Sequence, residues 1–410
     1  MNHNIEIIAE GSITTTPGFE AAGVACGLKP TGALDMALVY CPSPCVGAAV
    51  FTTNAFKAAP VLYDQRVLAR NPAGTRAVVI NSGCANACTG EQGERDAQAT
   101  AEVAAKELGV APADVWVMST GVIGAPLPMA RITAGVAMAA ARREGAVAAG
   151  HAAARAIMTT DTRPKEVAVR VTAGEGTFVI AGMIKGAGMI HPNMATLLCL
   201  ITTDAPITAP LAQQALGEAV EGSLNMISVD GDTSTNDTVL VMANGLAQMP
   251  GISAAASEPY RAFSAGLARV TGELAKAVIR DGEGATRFIE IALRGARDRA
   301  EAKQVAMSVA RSLLVKTAIY GRDANWGRII CAIGYSGAGI VPEKVGVWLG
   351  DLELVRAGAP YDVNEGRASE LLAQSDIHIG IDLGLGEAEA TVWTCDLSHQ
   401  YVDINAHYRT

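Results

Sequence analysis

Short runs rich in Val and Ile alternate along this chain with Ala-rich stretches of helical spacing, and that alternation restricts the fold to helices packed on sheets. Runs 34–40, 46–52, 76–80 and 114–118 are bounded by Gly, Pro or Asn and predict strands. Residues 94–108 interleave small apolar residues with charges at helical spacing, and 129–158, interrupted at Glu144-Gly145, predicts one broken helix or two. Strands are expected at 166–172 and 177–184 across the turn Gly174-Glu175-Gly176, and again at 197–202. Helices are expected at 211–225 and 258–280, with Ser257 as N-cap of the second.

Beyond Arg287 the texture changes to a strand at 288–293, a helix at 300–316 and short strands at 344–349, 378–383 and 388–395. A domain 1–285 followed by a smaller α/β domain 286–410 is therefore expected, since 410 residues exceed what one core usually encloses. Half of the residues are hydrophobic but only 4% are aromatic, so the core rests on Ala, Val, Ile and Leu, which suits close helix-on-sheet packing.

A net charge of −9 without a dense Lys/Arg stripe argues against a nucleic-acid partner, which would call for a basic face. The first residues lack the basic and apolar regions of a signal peptide, and the uncharged stretch 186–203 contains His191, Pro192, Asn193 and several Thr. That stretch is too polar for a membrane span, and a cytoplasmic protein is expected. Cys41/Cys45 and Cys84/Cys88 form C-x-x-x-C pairs without zinc spacing or a nearby His, and read as small buried thiols in a reducing compartment. The Asp-, Ser- and Thr-rich run 228–237 lacks the spacing and terminal Glu of a calcium loop and reads as a structured turn supporting a site. No metal is expected, and Gly186/Gly188 open no dinucleotide fingerprint.

The chemistry concentrates in Lys185-Gly186-Ala187-Gly188-Met189-Ile190-His191-Pro192-Asn193-Met194-Ala195-Thr196-Leu197-Leu198, a Gly- and Pro-containing loop that ends on Thr196 at the entrance of a strand. A Thr so placed suits β packing, and equally suits a nucleophile that attacks its preceding carbonyl and frees itself as a new N-terminus. The freed α-amino group, with an ordinary pKa of roughly 7.7–8.0, then serves as base for the Thr196 hydroxyl. Spacing alone does not choose between these readings.

The same run resembles the processing site of the ornithine acetyltransferase (glutamate N-acetyltransferase) family. Further likeness lies in Phe51-Thr52-Thr53-Asn54, in residues 81–90, and in Ser119-Thr120-Gly121-Val122-Ile123-Gly124. It continues in Met158-Thr159-Thr160-Asp161-Thr162, residues 228–237, Asp281-Gly282-Glu283-Gly284-Ala285-Thr286, Asn325-Trp326-Gly327-Arg328 and residues 403–410.

The resemblance implies a layered α/β sandwich of the aminopeptidase-like, N-terminal-nucleophile type. It implies cleavage between Ala195 and Thr196 into chains 1–195 and 196–410, intertwined and assembling as α₂β₂. Thr196 is then the nucleophile that carries acetyl from N-acetylornithine to glutamate in arginine biosynthesis. Thr120 and Gly121 match the oxyanion hole, and Thr159, Lys185, Thr196, Glu283, Asn405 and Thr410 match substrate-binding positions. No cofactor is implied. A bifunctional form that also accepts acetyl-CoA stays open, as does an autoprocessed aminopeptidase or amidase that uses water as acyl acceptor.

Overall fold

A computed structural model of the chain describes residues 4–191, 197–362 and 364–407, and these form two compact units. The first holds the described residues up to 186, with 197–225 and 232–278. The second holds 187–191, 226–231 and 279 onward. Both are mixed α/β, as the alternation of apolar runs predicts.

The first unit is organised on a sheet of nine strands among the described residues. Its order runs Ile5–Ile7, Lys165–Ala173, Gly176–Lys185, Leu198–Thr203, Thr238–Ala243, Met36–Phe51, Thr75–Cys84, Val115–Val122, with Glu20–Val24 added on Met36–Phe51. Leu198–Thr203 lies inside this sheet, antiparallel to Gly176–Lys185 and parallel to Thr238–Ala243, and all six of its residues are buried. Burial on both faces explains its unbroken apolar run. Helix Val147–Ala156 packs on Glu20–Val24 so closely that a Cβ at Gly23 would meet the Ala152 carbonyl oxygen at 2.1 Å. The Ala-rich helical sequence is what permits that approach.

The strands expected at 34–40 and 46–52 are in fact one bent strand, Met36–Phe51. Pro42 and Pro44 have no N–H for a ladder, and they fall where the register against Thr75–Cys84 slips, between Tyr40 and Cys45. The bend lets the strand change partners. Its first half pairs with Thr75–Cys84 and Glu20–Val24, and Val46 to Phe51 pair with Thr238–Ala243.

The second unit is built, among the described residues, on a sheet of seven strands, ordered Ala359–Pro360, Leu352–Arg356, Gly346–Leu349, Asp376–Asp382, Phe288–Ala296, Ala388–Cys395, Ile227–Ser228. The two-residue strand Ile227–Ser228 belongs to this sheet although it lies far upstream in sequence. The single helix expected at 300–316 is two, Arg299–Arg311 and Leu313–Tyr320. Ser312 separates them, because its hydroxyl accepts from Val315 N and caps the second helix. The long Ala-rich stretch divides as expected, into Met129–Arg142 and Val147–Ala156, and Ser257 caps Glu258–Arg280 by accepting from Tyr260 N. Among the described residues no helix is long and apolar enough to cross a membrane.

Candidate active site

Lys185 ends the strand Gly176–Lys185, and its partner across the ladder is Leu198, two positions after Thr196. A terminal Lys at a loop is ordinarily solvated, yet Lys185 is only 2% exposed. A buried cation needs negative charge within reach, and Asp161 supplies it. This carboxylate accepts from Lys165 Nζ at 2.6 Å and from the Gly186 amide at 2.7 Å through one oxygen, and from the Thr159 amide at 2.9 Å through the other. Burial alone would raise the Asp161 pKa, but Lys185 and then Lys165 outweigh it and hold the carboxyl below the ordinary range. Lys29 adds a third cation, within electrostatic reach of both Asp161 and Lys185. Thr159 is therefore fixed by its own backbone beside the Asp161–lysine cluster.

Leu197, the first described residue after the expected cleavage position, is held at both backbone groups. Its N–H donates to Asp237 Oδ1 at 2.9 Å, and its carbonyl accepts from Thr238 N at 3.2 Å. Asp237 is fully buried, and burial pushes its carboxyl well above the usual range against the opposing pull of the Leu197 amide and Lys185. The residue before it, Asn236, donates from Nδ2 to Ala85 O at 2.7 Å and to Ser119 O at 2.8 Å. Ser119 directly precedes Thr120 in strand Val115–Val122, and its hydroxyl donates to Asn81 Oδ1 at 2.6 Å. The turn expected from the 228–237 run thus ties two strands of the first unit by specific bonds.

Thr120 is buried, and Gly121 adopts φ +129°, a backbone conformation that other L residues rarely take. A Cβ there would also meet the Gly83 carbonyl carbon at 2.3 Å and Cys84 N at 2.6 Å, so only glycine fits. Replacing Gly121 by Ala is expected to lower stability by roughly 1–3 kcal/mol through backbone strain and close contact. Thermal unfolding of Gly121→Ala against the parent chain measures it.

The second unit brings Glu283 and Asn405 together. Asn405 Nδ2 donates to Glu283 Oε2 at 2.7 Å and to Tyr401 O at 3.0 Å from helix His399–Ala406. Glu283 is 7% exposed, and its amide donates to Ala187 O at 2.9 Å. Gly188 is small of necessity, because a Cβ there would lie 2.3 Å from Glu283 Oε2. Asp230 accepts from the amides of Met189 at 2.5 Å and Ile190 at 3.0 Å, which fixes Met189 in its positive-φ conformation. The expectations placed on Ala195, Thr196 and Thr410 lie outside the described residues.

The cysteines are unbridged. Cys41 and Cys45 lie against each other in the bent strand. The hydrogen bond from Cys45 is the main reason the Cys41 thiol falls to about 7, with its neighbour pushed up in turn. Asp161, Lys165, Lys29, Asn236 and Asp237 were not singled out by sequence. The one local signal was the i,i+4 spacing of Asp161 and Lys165, which normally marks a surface helix pair rather than a buried one.

A buried lysine–carboxylate cluster, a strand entrance held by side-chain bonds and a glycine-only strand position beside a threonine suit the binding of charged amino acids and the handling of an acyl group. The ArgJ family model matches residues 20–410, and the chain belongs to that family. It is 51% identical over 405 residues to the arginine biosynthesis bifunctional protein ArgJ of Symbiobacterium thermophilum, covering 98% of this chain and 99% of that protein. The protein of the same name from Dehalococcoides mccartyi is 46% identical, with 100% of both chains covered. Among solved structures, ornithine acetyltransferase of Mycobacterium tuberculosis, complexed with ornithine, is 42% identical over 48% of this chain and 100% of that one, at a TM-score of 0.43.

Proposed function

We propose that this chain is a self-cleaving acetyltransferase of arginine biosynthesis, which moves the acetyl group of N2-acetylornithine to glutamate through an acetyl ester on Thr196. The observation that carries the reading is 51% identity to a bifunctional ArgJ protein along nearly the whole of both chains, beside a family match over residues 20–410 that spans every motif assigned a role. In maturation the Thr196 hydroxyl adds to the Ala195 carbonyl, the C–N bond breaks, and the proton passes to the departing nitrogen. Water then hydrolyses the resulting ester, leaving an Ala195 carboxylate and a free Thr196 amino group. In turnover that amine takes the hydroxyl proton as Thr196 attacks the acetyl carbonyl and passes it to the departing α-nitrogen of ornithine. The neutral α-amine of glutamate next attacks the ester, and its proton returns through the same amine to the Thr196 oxygen as the C–O bond breaks.

Lys185 carries the charge that pairs with a substrate α-carboxylate, and Glu283 with Asn405 meets an ammonium group. Thr120 and the Gly121 amide serve as oxyanion donors, so Thr120→Ala is expected to lower turnover by ~10²–10³-fold in a steady-state assay. The bifunctional reading, with acetyl-CoA as a second acetyl donor, is favoured by the relatives' full-length match. The processed chains are proposed to assemble as α₂β₂.

Intact mass spectrometry under denaturing conditions tests the whole scheme. Two chains meeting at Ala195/Thr196, with ~42 Da added to the second after N-acetylornithine, are expected for an acetyl-enzyme. Acetate release without acetylated glutamate would instead make the protein an amidase.

A further inference from the structure

We infer that Asn236 and Asp237 act as a positioning brace, Asp237 fixing the backbone that follows the nucleophile and Asn236 fixing the strand that carries the oxyanion donors. This inference rests on the proposed self-cleaving transferase. Two consecutive residues reach opposite ways. Asn236 Nδ2 spans Ala85 O and Ser119 O, while Asp237 Oδ1 takes the Leu197 amide. Because one peptide bond links them, Leu197 and Ser119 cannot shift relative to each other without distorting a single dipeptide. The brace is itself held: Thr235 Oγ1 donates to Asn236 Oδ1 at 2.6 Å, Asn236 N donates to Ser234 Oγ at 3.1 Å, and Thr52 N donates to Asp237 O at 3.0 Å.

The ladder explains why a side chain is needed. Parallel pairing with Thr238–Ala243 begins at Leu198, so the Leu197 amide lies one residue before the register and takes a carboxyl oxygen instead of a backbone carbonyl. The choice of acid is costly, since the Asp237 carboxyl is fully buried and its second oxygen has, among the described residues, only the nearby Thr52 hydroxyl, which donates to Ser234 O at 2.8 Å. Packing alone would be served by an apolar residue. What Asp237 provides is a directional hold on the chain immediately after Thr196, where misplacement by about an ångström costs ~10²-fold in rate. Burial pushes this carboxyl well above its ordinary range, and an amide of the same shape keeps an oxygen that accepts from Leu197 N.

The test follows precursor cleavage by intact mass from the moment of synthesis, with kcat, KM and thermal midpoint measured on the matured fraction. Asp237→Ala is expected to slow cleavage by ~10²-fold and to lower kcat with little change in KM, and Asn236→Ala to lower kcat in the same way. Asp237→Asn, which still accepts from Leu197 N, is expected to recover most of both rates. The brace is overturned if Asp237→Ala cleaves and turns over within about twofold of the parent. It is also overturned if losses follow the thermal midpoint alone with kcat per folded molecule unchanged, or if Asn rescues nothing. A parent chain that never cuts overturns the proposed function and the brace with it, which separates that failure from the others.

Discussion

Thr196→Ala is expected to remain a single polypeptide of 410 residues and to lose acetyl transfer by at least roughly 10⁴-fold. The substitution removes the one oxygen that serves both cleavage and acyl transfer, and it leaves the chain without the new N-terminus whose amine is the base. Thr196→Ser keeps a hydroxyl and is expected to cut, so the pair separates chemistry from packing at this position. Denaturing mass and a transfer assay on both variants decide it. An alanine variant that is processed and active would place the nucleophile elsewhere.

Asp161→Ala is expected to be the most damaging change at a residue that makes no covalent intermediate. It removes the carboxylate that Lys165 holds at 2.6 Å, and with it the acceptor of the Gly186 and Thr159 amides. Taking one partner from a buried pair costs about 3–5 kcal/mol, because the charge that remains keeps its desolvation cost. Stability from denaturant unfolding and KM for N-acetylornithine should both worsen. The pH dependence follows from the direction of the shift. A carboxyl held lower in the fold than in the open chain contributes fully above its open-chain value of about 3.9, and that contribution is lost as pH falls through the folded value. The parent should therefore lose stability on acidification below about pH 4, and Asp161→Ala should lose less over that window. Equal acid sensitivity in both would remove Asp161 from the role.

The alternation of apolar runs made the α/β character and most elements legible. Where the reading failed, tertiary context intervened. Pro42 and Pro44 suggest a gap, but the strand runs through because its ladder changes partner there. Ser312 lies inside a helical pattern and breaks it, because its hydroxyl finds a cap. Ile227–Ser228 is too short to be seen by any periodicity, and it is a strand only because Thr394 and Trp393 lie alongside it.

For the site, the family likeness located the candidates, and solitary residue reasoning would have dismissed them. Lys185 reads as a solvated lysine and is buried; Glu283 reads as a turn residue and is buried against Asn405. Asn236 and Asp237 stood inside a run recognised only as a turn. The partners they hold lie 40 to 151 residues away in sequence, beyond any local pattern.

The position of Leu198–Thr203 has a consequence for the life of the molecule. Cutting before Thr196 would leave Gly176–Lys185 and Met36–Phe51 on one piece, and Leu198–Thr203 with Thr238–Ala243, inserted between them, on the other. Connectivity would change while every ladder stayed intact. Refolding, however, would change order: a chain that collapses by itself before the cut must afterwards find a second molecule in solution, so recovery from denaturant becomes dependent on concentration. Such a cut would work as a ratchet, because a protein assembled as one thread would persist as two by the slowness of its opening rather than by the ease of its return.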